Sequence, residues 1–298
     1  MSKLCNRQIH LINRPKGLPV ETDFAMVETE VGPPPEGTVL VRNLFMSVDP
    51  YMRGRMNEGK SYAPAFQLNQ PMQGRALGEV IKSNSQALVQ GDIVLSNYGW
   101  RQYFHAPASE LRKVSRDVHP LSVYLGALGM TGMTAWVGLR LAELKPTDVV
   151  FISGAAGAVG AMAGQLARLR GCRVIGSAGS KEKCELLQRE YRFDAAIDYK
   201  ADPQFENLKL AAPDGIDVYF DNVGGKALEA ALSSMRLHGR IIACGSISGY
   251  NDVQPTPGPS NLFNIIGKRL TVKGFLVSDW LDQLPEFERE VGDYYKSG

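Results

Sequence analysis

Hydrophobic and polar residues alternate differently in the two parts of the chain, and the change comes near residue 120. Before it, short apolar runs lie between turns rich in glycine and proline. Such runs are typical of strands in a compact β-rich domain, which we expect over residues 1–120. The predicted strands are 9–12, 38–44, 77–81, 92–96 and 101–105.

After residue 120 the pattern predicts a helix at 123–141 and then strands that alternate with helices. Alternation at this spacing is typical of a parallel sheet. Six strands are enough for a doubly wound nucleotide-binding domain, which we expect over residues 121–298. The predicted strands are 149–153, 173–177, 196–199, 217–221, 240–245 and 270–275, and the predicted helices are 158–170, 181–191, 226–235 and 261–268.

Composition and charge exclude several classes of protein to which the chain could belong. The chain has 298 residues, and its 33 basic and 31 acidic side chains leave a formal net charge of +2. This balance excludes a disordered chain and gives no basic surface for nucleic acid. The four cysteines are far apart in sequence, so neither a disulfide framework nor a zinc cluster is indicated. Free cysteines and a first segment without an apolar signal region predict a cytoplasmic protein.

One uncharged stretch, 149–167, is long enough to suggest a membrane helix. It contains four glycines, and it changes from β-branched residues to small ones along its length. A buried strand that turns into a buried helix explains this composition better. We therefore predict no association with a membrane.

The same stretch carries the main candidate for chemistry. A buried strand runs directly into Gly154, Gly157 and Gly160, and a helix follows. Glycines at this junction let the backbone approach a pyrophosphate, and the helix N-terminus supplies free N–H groups. The alternative is a structural turn with a helix of small residues packed on the sheet. The position between a strand and a helix of a six-strand pattern favours dinucleotide binding.

The next predicted strand distinguishes between the two nicotinamide cofactors. NAD enzymes carry an acid about 20 residues after the glycines, where it binds the ribose hydroxyls. Residues 177–180 contain no acid, and Lys181 and Lys183 follow. Lysines attract a 2′-phosphate, whereas a carboxylate would repel it. We predict NADP(H); the alternative is that both lysines are merely solvated.

Two further strand ends point to the same crevice, because ligands of open parallel sheets lie beyond the carboxyl ends of the strands. They are the segments 221–225 and 244–246, for which plain turn formation is the alternative. The four histidines are dispersed and no His or Cys lies near another at ligand spacing, so we predict no metal. The redox chemistry then falls to the cofactor.

With these motifs the chain resembles a known family, the zinc-independent medium-chain dehydrogenase/reductases. The similarity is to the branch of prostaglandin reductases, leukotriene B4 12-hydroxydehydrogenase and alkenal double-bond reductases. It extends over essentially the whole chain. The matching blocks are 47–56 (SVDPYMRGRM), 129–135 (GMTGMTA), 155–160 (AAGAVG), 182–184 (EKC), 198–200 (DYK), 221–225 (DNVGG) and 244–251 (CGSISGYN).

The resemblance implies a GroES-like first domain, a Rossmann second domain and a homodimer. It implies NADPH-dependent reduction of a carbon–carbon double bond conjugated to a carbonyl, with hydride transferred to the β-carbon. The family pattern also includes one more strand–helix–strand segment after the position at which this sequence stops.

The resemblance also implies roles for individual residues. Lys183 and Tyr199 would hold the 2′-phosphate, and Gly157, Ala158, Val159 and Gly160 would meet the pyrophosphate. The remaining residues expected to line the cofactor are Met130, Thr134, Asn222, Cys244, Gly245, Ser246, Tyr250, Phe275, Leu276 and Val277.

Two tyrosines are the candidates for catalysis. Tyr250 lies just past a strand end, and a phenol both donates to a developing enolate and relays a proton. We assign this role to Tyr250 and substrate positioning to Tyr51. The alternatives are that each ring is a buried aromatic, and that water or the cofactor ribose delivers the proton.

The same fold is also compatible with other functions. Quinone reduction requires only NADPH and an open cleft, whereas the missing zinc ligands disfavour an alcohol dehydrogenase. A catalytically weak NADPH-binding protein is a third possibility. Among enone reductases, the sequence does not distinguish keto lipids, short alkenals and phenylpropenals as substrates.

Overall fold

A computed structural model of the protein describes residues 4–297, and the chain in it divides after Leu125. One unit contains the residues up to Leu125 together with Asn251–Val253. The other contains residues 126–250 and those from 254 onward. Within the described residues, no helix is both long enough and apolar enough to cross a membrane.

The first unit is built from antiparallel strands. β1 (Leu4–Leu11) and β2 (Phe24–Val31) form a two-stranded ribbon. The next five strands are β3 (Thr38–Met46), β4 (Ala76–Ser83), β5 (Ile93–Ser96), β6 (Tyr103–Pro107) and β7 (Arg112–Val114). They form one sheet in the order β6–β3–β4–β5–β7, which buries Val39, Val41 and Phe104 on one face.

Short helices connect the strands of this unit. The α-helix α1 (Tyr51–Arg55) is a single short segment. The 3-10 helices are Glu21–Asp23, Ala108–Glu110 and Leu121–Leu125. The sequence pattern did not predict two of the strands. β2 was missed because charged residues occupy its exposed positions, and β7 was missed because it has only three residues.

The second unit contains the six-stranded parallel sheet that the sequence predicts. The strand order is β10–β9–β8–β11–β12–β13, so the order runs in one direction from β8 to β10 and in the other from β8 to β13. This is the doubly wound arrangement, and its switch point lies between β8 and β11. The strands are β8 (Val149–Ile152), β9 (Arg173–Ala178), β10 (Ala195–Asp198), β11 (Ile216–Asp221), β12 (Met235–Ala243) and β13 (Thr271–Gly274).

Helices connect these strands, mostly where the sequence pattern places them. They are α2 (Met130–Leu141), α3 (Ala158–Leu169), α4 (Lys181–Arg189), α5 (Glu206–Ala211), α6 (Gly225–Ser234), α7 (Phe263–Gly267) and α8 (Leu284–Ser297), with 3-10 helices at Ile247–Gly249 and Val277–Gln283.

One predicted helix boundary is wrong. The pattern predicts a continuous helix over 123–141, but the α-helix begins at Met130. Gly129, its N-cap, has extended backbone angles, and the amide of Gly132 donates to the carbonyl of Gly126 (3.1 Å). Glycine makes such a break inexpensive because it has no Cβ to restrict the backbone.

The core of the second unit contains aromatic side chains on one face of its sheet. Phe151 stacks on Tyr219 with ring centroids 5.2 Å apart and meets Phe205 edge to face at 6.2 Å. On α3, small residues allow close packing: a Cβ added at Gly164 would lie 1.9 Å from Cζ of the buried Phe193. The helix therefore lies directly on the ring of Phe193.

Substitution of this glycine tests the packing. We expect Gly164→Ala to lower the free energy of unfolding by about 1–3 kcal/mol, because overpacking outweighs the gain in helix propensity. Gly292→Ala is the matched control in α8, where an added Cβ meets nothing within 4 Å. We expect it to raise stability by about 0.4–1 kcal/mol. Urea unfolding of both variants measures the difference, and equal stability of the two would contradict the close contact.

Candidate cofactor and active site

The turn between β8 and α3 is shaped to receive an anion. Gly154 has a positive φ of 59° and its carbonyl accepts from the amide of Gly157 at 3.0 Å. A Cβ at Gly160 would lie 2.5 Å from that same carbonyl oxygen, so the helix begins directly against the turn. The N-cap of α3 has no side-chain hydrogen bond, and its first turn has no acid. Its first N–H groups are therefore available to a negatively charged ligand.

The carboxyl end of β9 carries the residues predicted to hold a 2′-phosphate. Ser180 caps α4, and its hydroxyl accepts from the amide of Lys183 at 3.3 Å. The side chain of Lys183 is exposed. The phenol of Tyr199, which follows β10, lies over the same turn, since a Cβ at Gly179 would be 2.8 Å from its oxygen. A lysine and a phenol therefore flank this turn, and the absence of a Cβ at Gly179 is what lets the phenol lie so close to it.

An acid lies in the same helical turn. The carboxylate of Glu182 folds back on the start of α4, where its own backbone amide and then the Ser180 hydroxyl lower its pKa. It caps the helix in this way.

Asn222 joins the end of β11 to the end of β8. Its backbone N–H donates to the Ser153 hydroxyl at 3.0 Å, and its side-chain amide nitrogen donates to the Ser153 carbonyl at 2.8 Å. Gly224 and Gly225 follow with positive φ values of 71° and 51°. The backbone therefore turns sharply at the switch point, where the sequence predicted a cofactor contact.

The end of β12 is tied to the end of β11. The amides of Cys244 and Gly245 both donate to the Asp221 carbonyl, at 2.9 and 3.0 Å. The half-buried Cys244 thiol has its pKa raised to about 12, by burial first and then by the charge of Asp221. It is therefore protonated at neutral pH and is not an activated nucleophile.

Tyr250 lies beyond the 3-10 helix that follows β12. Its phenol oxygen accepts a hydrogen bond from the Ser246 amide at 3.2 Å and would lie 3.3 Å from a Cβ at Gly245. The phenol is thus held against the carboxyl end of β12. Because its oxygen is the acceptor, its O–H remains available to donate to a substrate.

The other predicted contacts of the second unit lie on two elements. Met130 and Thr134 are one turn apart on α2, and the Thr134 hydroxyl donates to the Met130 carbonyl at 2.8 Å. Both are partly exposed on a helix that is otherwise mostly buried. Phe275 contacts the same helix, since a Cβ at Gly138 would lie 3.1 Å from its ring. Leu276 and Val277 follow β13 and are at least partly exposed.

Tyr51 begins α1 in the first unit. Burial, followed by the charge of Asp49, raises the pKa of its phenol. Burial also raises the pKa of Asp49, against the effect of the Ser47 hydroxyl, which donates to that carboxylate at 2.8 Å. Burial lowers the pKa of the neighbouring Arg75 guanidinium. Tyr51 is therefore a protonated phenol at neutral pH.

The sequence analysis named Asp221 only as part of the segment 221–225, and it gave no role to the side chains that support these loops. They are Ser153, Tyr219 and Asp221, which are 0, 0 and 3% exposed. The available signal was the presence of polar residues at the ends of two otherwise apolar buried strands. Buried polar groups require hydrogen-bond partners, so such residues point to one another.

Metal ligands are not grouped in the described part of the chain. No set of three or more His, Cys, Asp or Glu side chains within residues 4–297 is placed to hold a metal ion.

Comparison with known proteins gives matches over both units. Residues 7–114 match the family described as N-terminal domain of oxidoreductase, and residues 158–292 match the family described as zinc-binding dehydrogenase. The 2-alkenal reductase (NADP(+)-dependent) of Nicotiana tabacum is 42% identical over 99% of this chain and 88% of its own length. The NADPH-dependent curcumin reductase of Escherichia coli (strain K12) is 39% identical over 98% of this chain and 86% of its own.

A solved structure is similar over nearly the same extent. The crystal structure of CurA from Vibrio vulnificus in complex with NADPH superposes with a TM-score of 0.92 at 35% identity. The superposition covers 98% of this chain and 88% of that one.

Proposed function

The chain belongs to the zinc-independent branch of the medium-chain dehydrogenase/reductases, and from this premise we propose that it reduces the carbon–carbon double bond of α,β-unsaturated aldehydes and ketones. It is an NADP-dependent oxidoreductase. The observation that carries the proposal is the Tyr250 phenol, which is held at the carboxyl end of β12 with its O–H free. The alkenal and curcumin reductases among its relatives support the substrate class.

The residues of the second unit fit NADP(H). The uncapped start of α3, at Gly157, Ala158, Val159 and Gly160, would bind the pyrophosphate. Lys183 and Tyr199 would hold the 2′-phosphate. The nicotinamide half would then extend past Asn222 toward the loop after β12. Residues expected to line it are Met130, Thr134, Cys244, Gly245, Ser246, Tyr250, Phe275, Leu276 and Val277.

When bound, NADPH supplies a hydride to the β-carbon of the substrate. Negative charge then develops on the carbonyl oxygen, which requires a hydrogen-bond donor. Tyr250 would donate its O–H to that oxygen, and the amide of Ser246 would hold the phenol in place. The α-carbon then takes a proton that the Tyr250 phenol relays from solvent, and this completes the reduction. Substrate positioning by Tyr51, whose phenol is protonated at neutral pH, stays a prediction.

A panel of substrates tests the reaction. We expect NADPH oxidation, followed at 340 nm, with trans-2-nonenal, a 15-keto-prostaglandin or benzalacetone, and much slower oxidation of NADH. A quinone in the same panel separates the two reductase activities. Turnover of the quinone alone would contradict enone reduction. Tight NADPH binding without turnover of any substrate would contradict both reductase activities and support an NADPH-binding protein instead.

Replacement of Lys183 tests the cofactor preference. Loss of one charge-assisted hydrogen bond to the 2′-phosphate is expected to raise the KM for NADPH about 10–100-fold in Lys183→Gln. The KM for NADH should hardly change. Lys181→Gln removes a charge from the same helical turn and is expected to change the NADPH value by about threefold or less. Equal effects of the two variants would contradict the assignment.

Replacement of Tyr250 tests the proton donor. Tyr250→Phe is expected to lower kcat for an enone about 10²–10⁴-fold, because the developing enolate loses its donor. The affinity for NADPH, measured by fluorescence titration, should be kept. Tyr191→Phe removes a phenol that lies between α4 and β10 and serves as the matched control. A kcat in Tyr250→Phe equal to that of the control would exclude the phenol as donor.

A further inference from the structure

A cluster of buried polar side chains lies at the switch point of the parallel sheet. It consists of Ser153, which directly follows β8, and of Tyr219 and Asp221 on β11. The Tyr219 phenol donates to the Asp221 carboxylate at 2.7 Å, and the Ser153 hydroxyl donates to the same carboxylate at 3.2 Å. The two hydroxyl oxygens lie 3.0 Å apart. The cluster is almost completely shielded from solvent.

The carboxylate of Asp221 is surrounded by neutral donors. One oxygen, Oδ1, accepts from the amides of Val223 and Gly224, at 2.9 and 2.8 Å, as well as from the two hydroxyl groups. Four hydrogen-bond donors therefore converge on this one oxygen. None of the ion pairs found within residues 4–297 includes Asp221. The switch point therefore contains a buried negative charge that is hydrogen-bonded but not neutralised.

This charge is on the side of the sheet where the nicotinamide would lie. Lys183 and Tyr199 place the adenosine end of the cofactor at β9 and β10, on one side of β8. The other end then extends toward β11 and β12, on the opposite side of the switch point.

The Cys244 thiol lies next to the residue that carries this charge, because the Cys244 backbone amide donates to the Asp221 carbonyl at 2.9 Å. It is half-buried at the end of β12, and after burial itself the Asp221 carboxylate is the second cause that raises its pKa. The low local polarity that burial creates also lengthens the range over which one charge acts.

The nicotinamide ring is neutral in the reduced cofactor and carries one positive charge in the oxidised cofactor. We propose that the buried Asp221 carboxylate makes this site bind NADP⁺ more tightly, relative to NADPH, than a neutral residue would. The inference rests on the proposed function, namely that the second unit binds NADP(H). Its consequence is that the bound reduced cofactor is a stronger hydride donor than it would be beside a neutral residue at position 221.

A purely structural role for Asp221 predicts something different. If its four hydrogen bonds only fix the loop after β11, their loss would weaken the binding of both redox forms by the same factor. The ratio Kd(NADPH)/Kd(NADP⁺), measured without substrate, therefore separates an electrostatic role from a structural one.

The test is calorimetric titration of the full chain with each redox form. In Asp221→Asn, which keeps the shape and removes the charge, we expect that ratio to fall about tenfold relative to the wild type. For a two-electron couple this equals about 30 mV in the potential of the bound cofactor. Tyr219→Phe is the matched control, because it removes a hydrogen bond of the cluster and keeps the charge. Its ratio should equal that of the wild type.

An unchanged ratio in Asp221→Asn would overturn the inference while leaving NADP(H) binding intact. If the wild type binds neither form, the proposed function fails and the inference fails with it, so the two failures are distinguishable. If Asp221→Asn does not fold, Cys244→Asp at pH 8 adds a negative charge at the neighbouring strand end, with Cys244→Ser as its neutral control. The ratio should then be higher in the aspartate variant, and an equal or lower ratio would refute the electrostatic role.

Discussion

Hydrogen bonding between the ends of β8, β11 and β12 is the constraint on which the candidate site depends. Parallel strands end together at one edge of the sheet, where their last backbone groups lose their partners in the ladder. Here Asp221 supplies those partners: its carbonyl accepts from the loop after β12, and its carboxylate accepts from the loop after β11. Asn222 then joins the same region to Ser153 at the end of β8. Three loops with glycines at strained or crowded positions are thereby held in one conformation before any ligand arrives.

In that arrangement, the residues that would contact the cofactor differ from the residues that hold the loops in place. Residues that would touch the cofactor, such as Asn222 and Tyr250, are partly exposed. Those that hold them in place are buried, and each has a hydrogen-bond partner. Binding then costs little conformational entropy, because the loops are already ordered. The same division explains why a polar cluster is tolerated in an otherwise apolar core: every member has a partner.

Much of this architecture could be predicted from the sequence. The run from Val149 to Gly160 has a strand, glycines and a helix in the order that a doubly wound sheet requires, and the six strands of the second unit are confirmed. The NADP-dependent family is confirmed as well, and the absence of an acid after β9 is the local reason that the sequence offered. The roles given to Tyr250, Tyr51 and the cofactor-lining residues remain predictions.

Other features were beyond a reading of one sequence. The helix predicted over 123–141 failed because nothing in apolar periodicity shows that Gly129 adopts an extended conformation. Short α5 was missed because it has only six residues, and it begins after Phe205, a buried residue whose left-handed backbone angles are unusual for a side chain of this size. The cluster of Ser153 with Tyr219 and Asp221 depends on a strand pairing across 68 residues, which no local pattern contains.

That long-range pairing also determines when the site can exist during folding. β8, β9 and β10 are neighbours in sequence as well as in space and can pair through one helical connection each, whereas β11 must return to the far side of β8. Closing this longer loop costs more chain entropy, so the β8–β11 contact belongs among the slow, high-contact-order events of folding. A chain that has assembled only its first three parallel strands has no switch point and no crevice. A dinucleotide that binds there recognises only the completed sheet, and by mass action it draws partly folded chains toward the native state.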